Sequence, residues 1–590
     1  MNKMKNIVTS KYFLLILLII AGFGIYAFNL HNPLFWDDDD WIINNSFVHD
    51  FSRLKEIFTR NILAGFGLNS NYYRPFLLLT FALNYIISGI KPLGYHLVSN
   101  GFHIANGLLV FSILYFALKK KLPAFVAALL FLIHPLQTEA VTYISGRGDP
   151  MSVFFMLLAL WLFIKRENLG NSRTSKYWLL SISSLFSMIL AVLSRETAIL
   201  LPALILIFYI AFLSKDRLFV SVKTAFAKTI PFWTISGFYW FLRMTVLNFN
   251  NTLNFYSQVN DYTGHLSYRL YTFGYALVEY FKLIFVPLGL HMERDLAIRT
   301  SILQWPVWLA VLIIAGIICA GWYFFKKRKQ QSIRVWFFSW AWFFIALAPV
   351  SGIIPINAVM YEHWLYLPLI GFFALAGCCI GKALEIAKIK TNFGYRFLIL
   401  GLIVYFSFFA TASAKRNLAW GGPIKFYEDI LRYNPNSVRI MNNLGNLYSA
   451  KKNYDKAIEF YEKAAAGPNG NIFAQPHYNL ANIYAAKGDI KKAIVGYKKA
   501  VEADPNFPFA YQNLAVIYAG QGELAEAQKM LERVIELRPF EPEIYYNLAL
   551  VFLAQKNNDL ALQILEKGLK YAKGNNAATA EIMRLLGKLK

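Results

Sequence analysis

The chain has 590 residues, 57% of them hydrophobic and only 16% charged, well below the roughly 25% charge of a soluble globular protein. That excludes a water-soluble enzyme. The net charge of +25 falls in short clusters between apolar stretches (Lys3 and Lys5; Lys119, Lys120 and Lys121; Lys165 and Arg166; Lys215 and Arg217; Lys326, Lys327, Arg328 and Lys329), as in the cytoplasmic loops of multi-pass membrane proteins, so it points to topology and anionic lipid, with no nucleic acid as partner.

The first apolar run, Tyr12 to Leu30, follows a basic leader and precedes no small-residue cleavage site, so it is expected to remain as a membrane helix. Stretches of about 17 to 25 residues, long enough to span, then begin at Tyr95, Leu122, Pro150, Tyr177, Thr197, Ala225, Trp305, Val335, Tyr361 and Tyr395. With the first, that makes about eleven crossings. An inside N-terminus puts every basic cluster on the cytoplasmic side, provided that Arg74 to Ile90 and Tyr268 to Val286 do not cross and lie on the outer face as interfacial helices. The outer side then collects the first acidic loop, the segment from His134 to Asp149, the turn at Arg195 and Glu196, the region of His291, and everything after Trp420. Cys319, Cys378 and Cys379 have no metal-ligand spacing and read as inert core residues.

Past Trp420 the sequence repeats with a period of about 34, the spacing of tetratricopeptide repeats. Asn-Leu-Gly/Ala with an aromatic three residues on recurs at Asn443 to Tyr448, Asn479 to Tyr484, Asn513 to Tyr518 and Asn547 to Phe552. A small residue follows in each repeat: Ala457, Ala493, Ala527 and Ala561. Two helices about 8 to 10 Å apart need one where they cross. A half repeat from Pro423 to Pro435 precedes the four, and an amphipathic tail from Ala577 to Leu589 is suited to cap them. Such repeats form a groove for extended peptides. Asn443, Asn479, Asn513 and Asn547 are expected to line it, their amides able to donate to and accept from a peptide backbone; the alternative is that Asn is simply common at this repeat position.

The chemistry-bearing residues lie in the predicted outer loops. Asp37, Asp38, Asp39 and Asp40 are adjacent; four carboxylates repel one another and avoid hydrocarbon, so they are expected in water at the membrane edge. They form either a reaction site or a solvated acidic loop. Three further strings follow: one with Arg74, Pro75, His96, Asn100 and His103; HPLQTEAVTYISGRGDP with His134, Glu139, Arg147 and Asp149; and MYEHWLYLP with Glu362 and His363. His96 and His103, seven apart on one helix face, also suit packing against polar partners. Walker and Rossmann glycine motifs are absent from the sequence.

In DDDDWIINN, YRPF, YHLVSNGFHIAN, HPLQTEAVTYISGRGD, SRETAILLP and EHWLYLP, followed by the repeats, the chain resembles the transmembrane and tetratricopeptide-repeat O-mannosyltransferases, polytopic enzymes that use polyprenyl-phosphate sugars. The resemblance covers nearly the whole chain. It implies an all-α fold, with a GT-C-like bundle of about eleven transmembrane helices over residues 1–415 and an α-solenoid over 416–590 on the extracytoplasmic side. It implies transfer of a sugar, mannose by the family, from a polyprenyl-phosphate donor to Ser or Thr hydroxyls of secreted proteins with inversion. Asp37 and Asp38 match the catalytic pair, while Asp39 and Asp40 fall where the family is not regularly acidic. Pocket roles follow for Glu196, Glu362 and His363, with His134 and Glu139 in the same outer string as Arg147. No cofactor is required; clustered carboxylates suit a divalent metal, though none is predicted.

A carboxylate within reach of a hydroxyl can take its proton as the bond to sugar forms, and crowding by its neighbours is expected to raise the proton affinity of one of the four. The leaving phosphate needs cations rather than an acid. Arg147 is the first candidate, with Arg74, Arg195 and Arg243 as helpers through paired hydrogen bonds; the alternative for Arg147 is an ion pair with Asp149 or Glu139. Two other readings stay open: an enzyme of the same fold that glycosylates a lipid or cell-wall polymer, and a membrane scaffold that recruits partners through its repeats.

Overall fold

The computed structural model describes residues 10–170, 174–249, 261–327, 330–356, 358–467, 473–571 and 577–589, and these form helices and turns with no strand among them. Lys3, Lys5, Arg328 and Lys329 of the basic clusters lie outside the described residues. Contacts divide the chain into Met1–Pro423 and Ile424–Lys590. That border lies past 415 because the last bundle helix continues to Ala419.

The first unit begins with α1 (Lys11–Tyr26), whose N-terminus is capped by Ser10 accepting from the Phe13 N–H at 3.1 Å. Then follow α2 (Pro75–Ser88), α3 (Pro92–Leu118) and α4 (Lys121–Ile133). Pro75 and Pro92 open their helices, where the missing N–H costs nothing. Pro135, just past α4, stops the helix, and the chain bends by 55° into short α5 (Thr138–Thr142). The unit continues with α6 (Gly148–Glu167), α7 (Ser175–Ser194), α8 (Leu201–Phe208), α9 (Leu218–Met244) and α10 (Leu266–Phe285). It closes with α11 (Trp305–Lys326), α12 (Gln330–Leu347), α13 (Leu369–Lys390) and α14 (Asn392–Ala419).

Among the described residues nine helical segments are long and apolar enough to cross a membrane, and the bent pair makes a tenth; this is a multi-pass membrane protein. The remaining expected crossing is α9. It is long enough at 27 residues, but Lys223, Lys228 and its Thr and Ser residues reduce its apolar character. The two stretches expected not to cross are α2, too short at 14 residues, and the 20-residue α10, which carries Arg269, Glu279 and Lys282 and is absent from the nine.

Close helix approach depends on small residues. A Cβ on Gly377 of α13 would stand 2.3 Å from the Pro123 carbonyl oxygen of α4. At the other end of α4 a buried amide network joins four helices. Asn29 and Asn100 exchange hydrogen bonds at 3.1 and 2.9 Å, Asn29 also reaches Thr142 at 3.0 Å, and Thr142 donates to Asn417 at 2.5 Å. Unpaired amides there would cost several kcal/mol in hydrocarbon, so this network pins the end of α14 against α1, α3 and α5. His96 and His103 have polar partners, the Asn32 carbonyl for the first and the Tyr366 hydroxyl and Leu132 carbonyl for the second. Cys319 and Cys379 are exposed, which corrects their reading as core residues.

The second unit contains α15 (Pro423–Tyr433), four helix pairs and α24 (Ala577–Leu589). The pairs are α16 (Val438–Ala450) with α17 (Tyr454–Ala466), α18 (Ala474–Ala486) with α19 (Ile490–Ala503), α20 (Pro508–Gly520) with α21 (Leu524–Leu537), and α22 (Pro542–Ala554) with α23 (Asn558–Leu569). Ala457, Ala493, Ala527 and Ala561 are all fully buried, as the helix crossings require.

Candidate active site

The outer-loop residues meet at one end of the bundle, where α1, α7, α9 and α14 finish and α2, α6 and α13 begin. Trp36, in a left-handed backbone with φ 68°, turns the chain into the acidic run, and Asp39–Ile43 form a wide helical turn. Asp38 is only 2% exposed. Its Oδ1 accepts from the Ser145 N–H at 2.8 Å and the Ser145 hydroxyl at 2.5 Å, and its Oδ2 from the Phe35 N–H at 3.2 Å. Burial pushes this carboxyl from 3.8 up to about 7; the three hydrogen bonds oppose that and the charge of Asp37 adds to it.

The expectation that all four aspartates lie in water is corrected. Asp39 is exposed, Asp37 and Asp40 are half-buried, and Asp38 is interior. Proton affinity does rise, but burial is the larger cause and crowding the smaller: Asp40 is pushed to about 8 by burial first, then by Asp37 and Asp39.

Trp41 joins the acidic loop to the cationic part of the cluster. The Arg74 guanidinium lies 5.8 Å from the Trp41 ring and 4.6 Å from that of Tyr72. Arg74 pairs with Glu196 at 3.0 Å, and Arg195 pairs with Asp149 through one guanidinium nitrogen. The other two nitrogens of Arg195 have no hydrogen-bond partner among the described residues. Glu139, fully buried, meets the Nδ1 of His363. Glu362, also fully buried, accepts from the His291 N–H and from Arg294, both at 2.8 Å, with Arg416 at 3.9 Å. Burial raises the Glu362 carboxyl against the pull of those arginines and holds the His363 imidazole down at about 4.

Several expected site residues serve the framework. Arg147 is fully buried, with Ser99 at 3.1 Å, Thr80 at 3.2 Å, Asn84 at 2.7 Å and the Tyr95 carbonyl at 3.0 Å around its guanidinium. It pairs with neither Asp149 nor Glu139; the expected phosphate contact is replaced by a clamp between α2 and α3. His134 bonds the Ile284 carbonyl at 2.9 Å and accepts from the Leu136 N–H at 3.3 Å, so it stabilises the bend after α4 rather than a pocket. Arg243 holds the Leu247 carbonyl and the Asn71 side chain at 2.8 and 2.6 Å.

The asparagine amides of the repeats are also engaged. Asn443 donates to Tyr427 at 3.4 Å, Asn479 to Asn442 and Asn446 at 2.9 Å, and Asn513 to Asn482 at 2.9 Å. These bonds run from one repeat to the one before, so the amide donors serve stacking. The ladder stops there: the third repeat has Val516 where the earlier ones have Asn446 and Asn482, and Asn547 is half-buried beyond it.

Sequence reasoning missed Ser145, Arg294 and Arg416. Ser145 lies inside the ISGRGD string, whereas nothing in the sequence marks the other two. Among the described residues no group of three or more His, Cys, Asp or Glu side chains is arranged to hold a metal ion.

Models of the tetratricopeptide repeat match residues 438–466, 481–522 and 513–578. A protein O-mannosyl-transferase of Caenorhabditis elegans is 27% identical over 75% of this chain and 62% of its own length. The protein O-mannosyl-transferase TMTC3 of Mus musculus is 24% identical over 78% of this chain and 52% of its own. The chain is similar to these transmembrane and tetratricopeptide-repeat proteins over about three quarters of its length. It spans between 50% and 62% of the length of the curated family members compared first. Among solved structures a MamA protein is 24% identical over 25% of this chain and 80% of its own, with a TM-score of 0.23.

Proposed function

We propose that this protein is an inverting protein O-mannosyltransferase of the transmembrane and tetratricopeptide-repeat family, which moves mannose from a polyprenyl-phosphate donor to Ser or Thr hydroxyls of secreted polypeptides. One observation carries the reading: acids and cations from the first acidic loop, the α2 entry, the α5–α6 turn, the α7 end and the segment before α13 converge on one end of a membrane bundle. A scaffold has no use for that convergence. The relatives' names supply mannose and protein acceptor.

Asp37 takes the role of base. Asp38 has both oxygens occupied and lies in the interior, which leaves its half-buried neighbour as the carboxylate of the matched pair nearer the surface. The acceptor hydroxyl attacks the anomeric carbon, its proton passes to Asp37, and the bond from that carbon to the phosphate oxygen breaks with its electron pair on the phosphate. Arg195, with two nitrogens open, meets the phosphate charge as it grows. The polyprenyl tail stays in the bilayer against the apolar flanks of the helices. In this reading the repeats are extracytoplasmic and bind the acceptor.

The test supplies purified full-length protein with polyprenyl-phosphate mannose and a Ser/Thr-rich secreted polypeptide. A mass gain of one hexose on the polypeptide, with inverted anomeric configuration, is expected. Sugar appearing only on a lipid or glycan acceptor overturns the assignment.

A further inference from the structure

The second ring nitrogen of His363 is a polar atom that the fold leaves open. Glu139 and His363 come from positions 224 residues apart, and Nδ1 of the ring meets Glu139 Oε1. The ring stacks on Tyr361, with centroids 5.1 Å apart and planes at 23°, and Trp364 meets it edge-on. Glu139 is fully buried, while the His363 side chain keeps 14% of its surface. Nε2 has no hydrogen-bond partner among the described residues. Arg195, Arg74, Asp149 and Glu362 all act on the ring electrostatically, so it belongs to the same corner as the open nitrogens of Arg195.

The protons of the pair follow from its surroundings. A buried pair with net charge is costly, so carboxyl and ring together hold two protons and are neutral overall. Whether the shared proton rides on Oε1 or on Nδ1, the other stands on Nε2. An N–H donor therefore stands at the ring nitrogen that has no partner among the described residues, on a side chain that keeps 14% of its surface.

We propose that the Nε2–H of His363 hydrogen-bonds the phosphate of the polyprenyl-phosphate donor, with Glu139 as the positioning residue that fixes the ring. This rests on the transferase reading above. Arg195 supplies charge beside it and His363 supplies direction. As the anomeric carbon–oxygen bond breaks, its electrons settle on the phosphate, so this contact strengthens toward the transition state.

Full-length protein in detergent is titrated with a polyprenyl monophosphate and, in parallel, with the matching polyprenol, following tryptophan fluorescence. His363→Phe and His363→Ala are expected to weaken phosphate binding about tenfold, a common worth for one charge-assisted bond, and to leave polyprenol binding unchanged. Glu139→Ala combined with His363→Ala is expected to lose no more than His363→Ala alone, because the carboxyl acts through the ring. Where the Ala variant fails to fold, the Phe variant, which keeps the stack on Tyr361, decides. Variants that bind the monophosphate as tightly as the unsubstituted protein, with its preference for phosphate over alcohol intact, overturn this assignment alone. Absence of that preference in the unsubstituted protein overturns the donor class as well.

Discussion

Ser145 gives both its backbone N–H and its hydroxyl to a single oxygen of Asp38, at 2.8 and 2.5 Å, across 107 residues of sequence. The first acidic loop is thereby fastened to the turn that opens α6. Because the other Asp38 oxygen holds the Phe35 N–H, this side chain orients the loop, and the proposed base is its neighbour Asp37.

Asp37→Asn is expected to lower transfer by about 10²- to 10⁴-fold, the usual worth of a general base, with an unchanged thermal midpoint. Ser145→Ala keeps the N–H bond and loses the hydroxyl one, at a cost of about 1 kcal/mol. Turnover and thermal unfolding measured on the same preparations separate the two. Full activity in the Asp37 variant would remove that residue from the mechanism.

Asp38 also predicts a pH dependence of stability. Its carboxyl is held near 7 in the fold against 3.8 in an ordinary carboxylate, so the folded state binds the extra proton between those values. Stability from this group is fully present below about pH 4 and is lost as the pH rises toward 7. Asp38→Asn is expected to flatten that part of the thermal midpoint profile. A slope identical in both proteins counts against a buried, protonated Asp38.

Arg74 and Glu196 form a pair that is 9% and 27% exposed. Arg74→Ala takes the ion-pair partner from Glu196 in a mostly buried place and leaves it only the more weakly acting Arg195, for an expected loss of about 2 kcal/mol, below the 3 to 5 of a fully buried pair. Arg195→Ala, by contrast, is expected to act chiefly on donor affinity, raising the donor KM more than it lowers the thermal midpoint. Kinetics and denaturant unfolding distinguish them, and equal effects on KM from both variants would deny Arg195 its separate role.

In the repeats, Asn482 accepts from Tyr497 at 2.7 Å and from Asn513 at 2.9 Å. Asn482→Ala removes the acceptor of the Tyr497 hydroxyl and one of the acceptors of the Asn513 amide, which keeps the Tyr497 oxygen at 3.1 Å, and is expected to cost about 1 to 3 kcal/mol. Val516→Ala, at the equivalent place one repeat later and 64% exposed, should cost under about 0.5 kcal/mol. Chemical unfolding of the two variants tests whether the amide ladder contributes to stacking.

How far the site could be read in advance differs residue by residue. Glu139, Arg195, Glu196, Glu362 and His363 were visible because charges are rare in a chain this apolar and stand out at helix ends. Arg147 was visible for the same reason, yet its role was misjudged. Nothing in SGRGD tells whether the guanidinium faces a ligand or turns back onto Ser99, Thr80 and Asn84, since those partners lie on helices brought near only by packing. Arg416, at the end of a long apolar helix, gave no warning that it would stand near Glu362.

Hydropathy runs and the period of about 34 were enough to settle a helical membrane bundle followed by stacked helix pairs, because every backbone group in lipid must be paired within its own segment and small residues must recur where repeats cross. Which charges pair, which carboxylate is buried and which nitrogen stays open were left to the packed molecule. Those answers depend on contacts between distant segments, such as Glu139 and His363, 224 residues apart, and on a desolvation that no local pattern records.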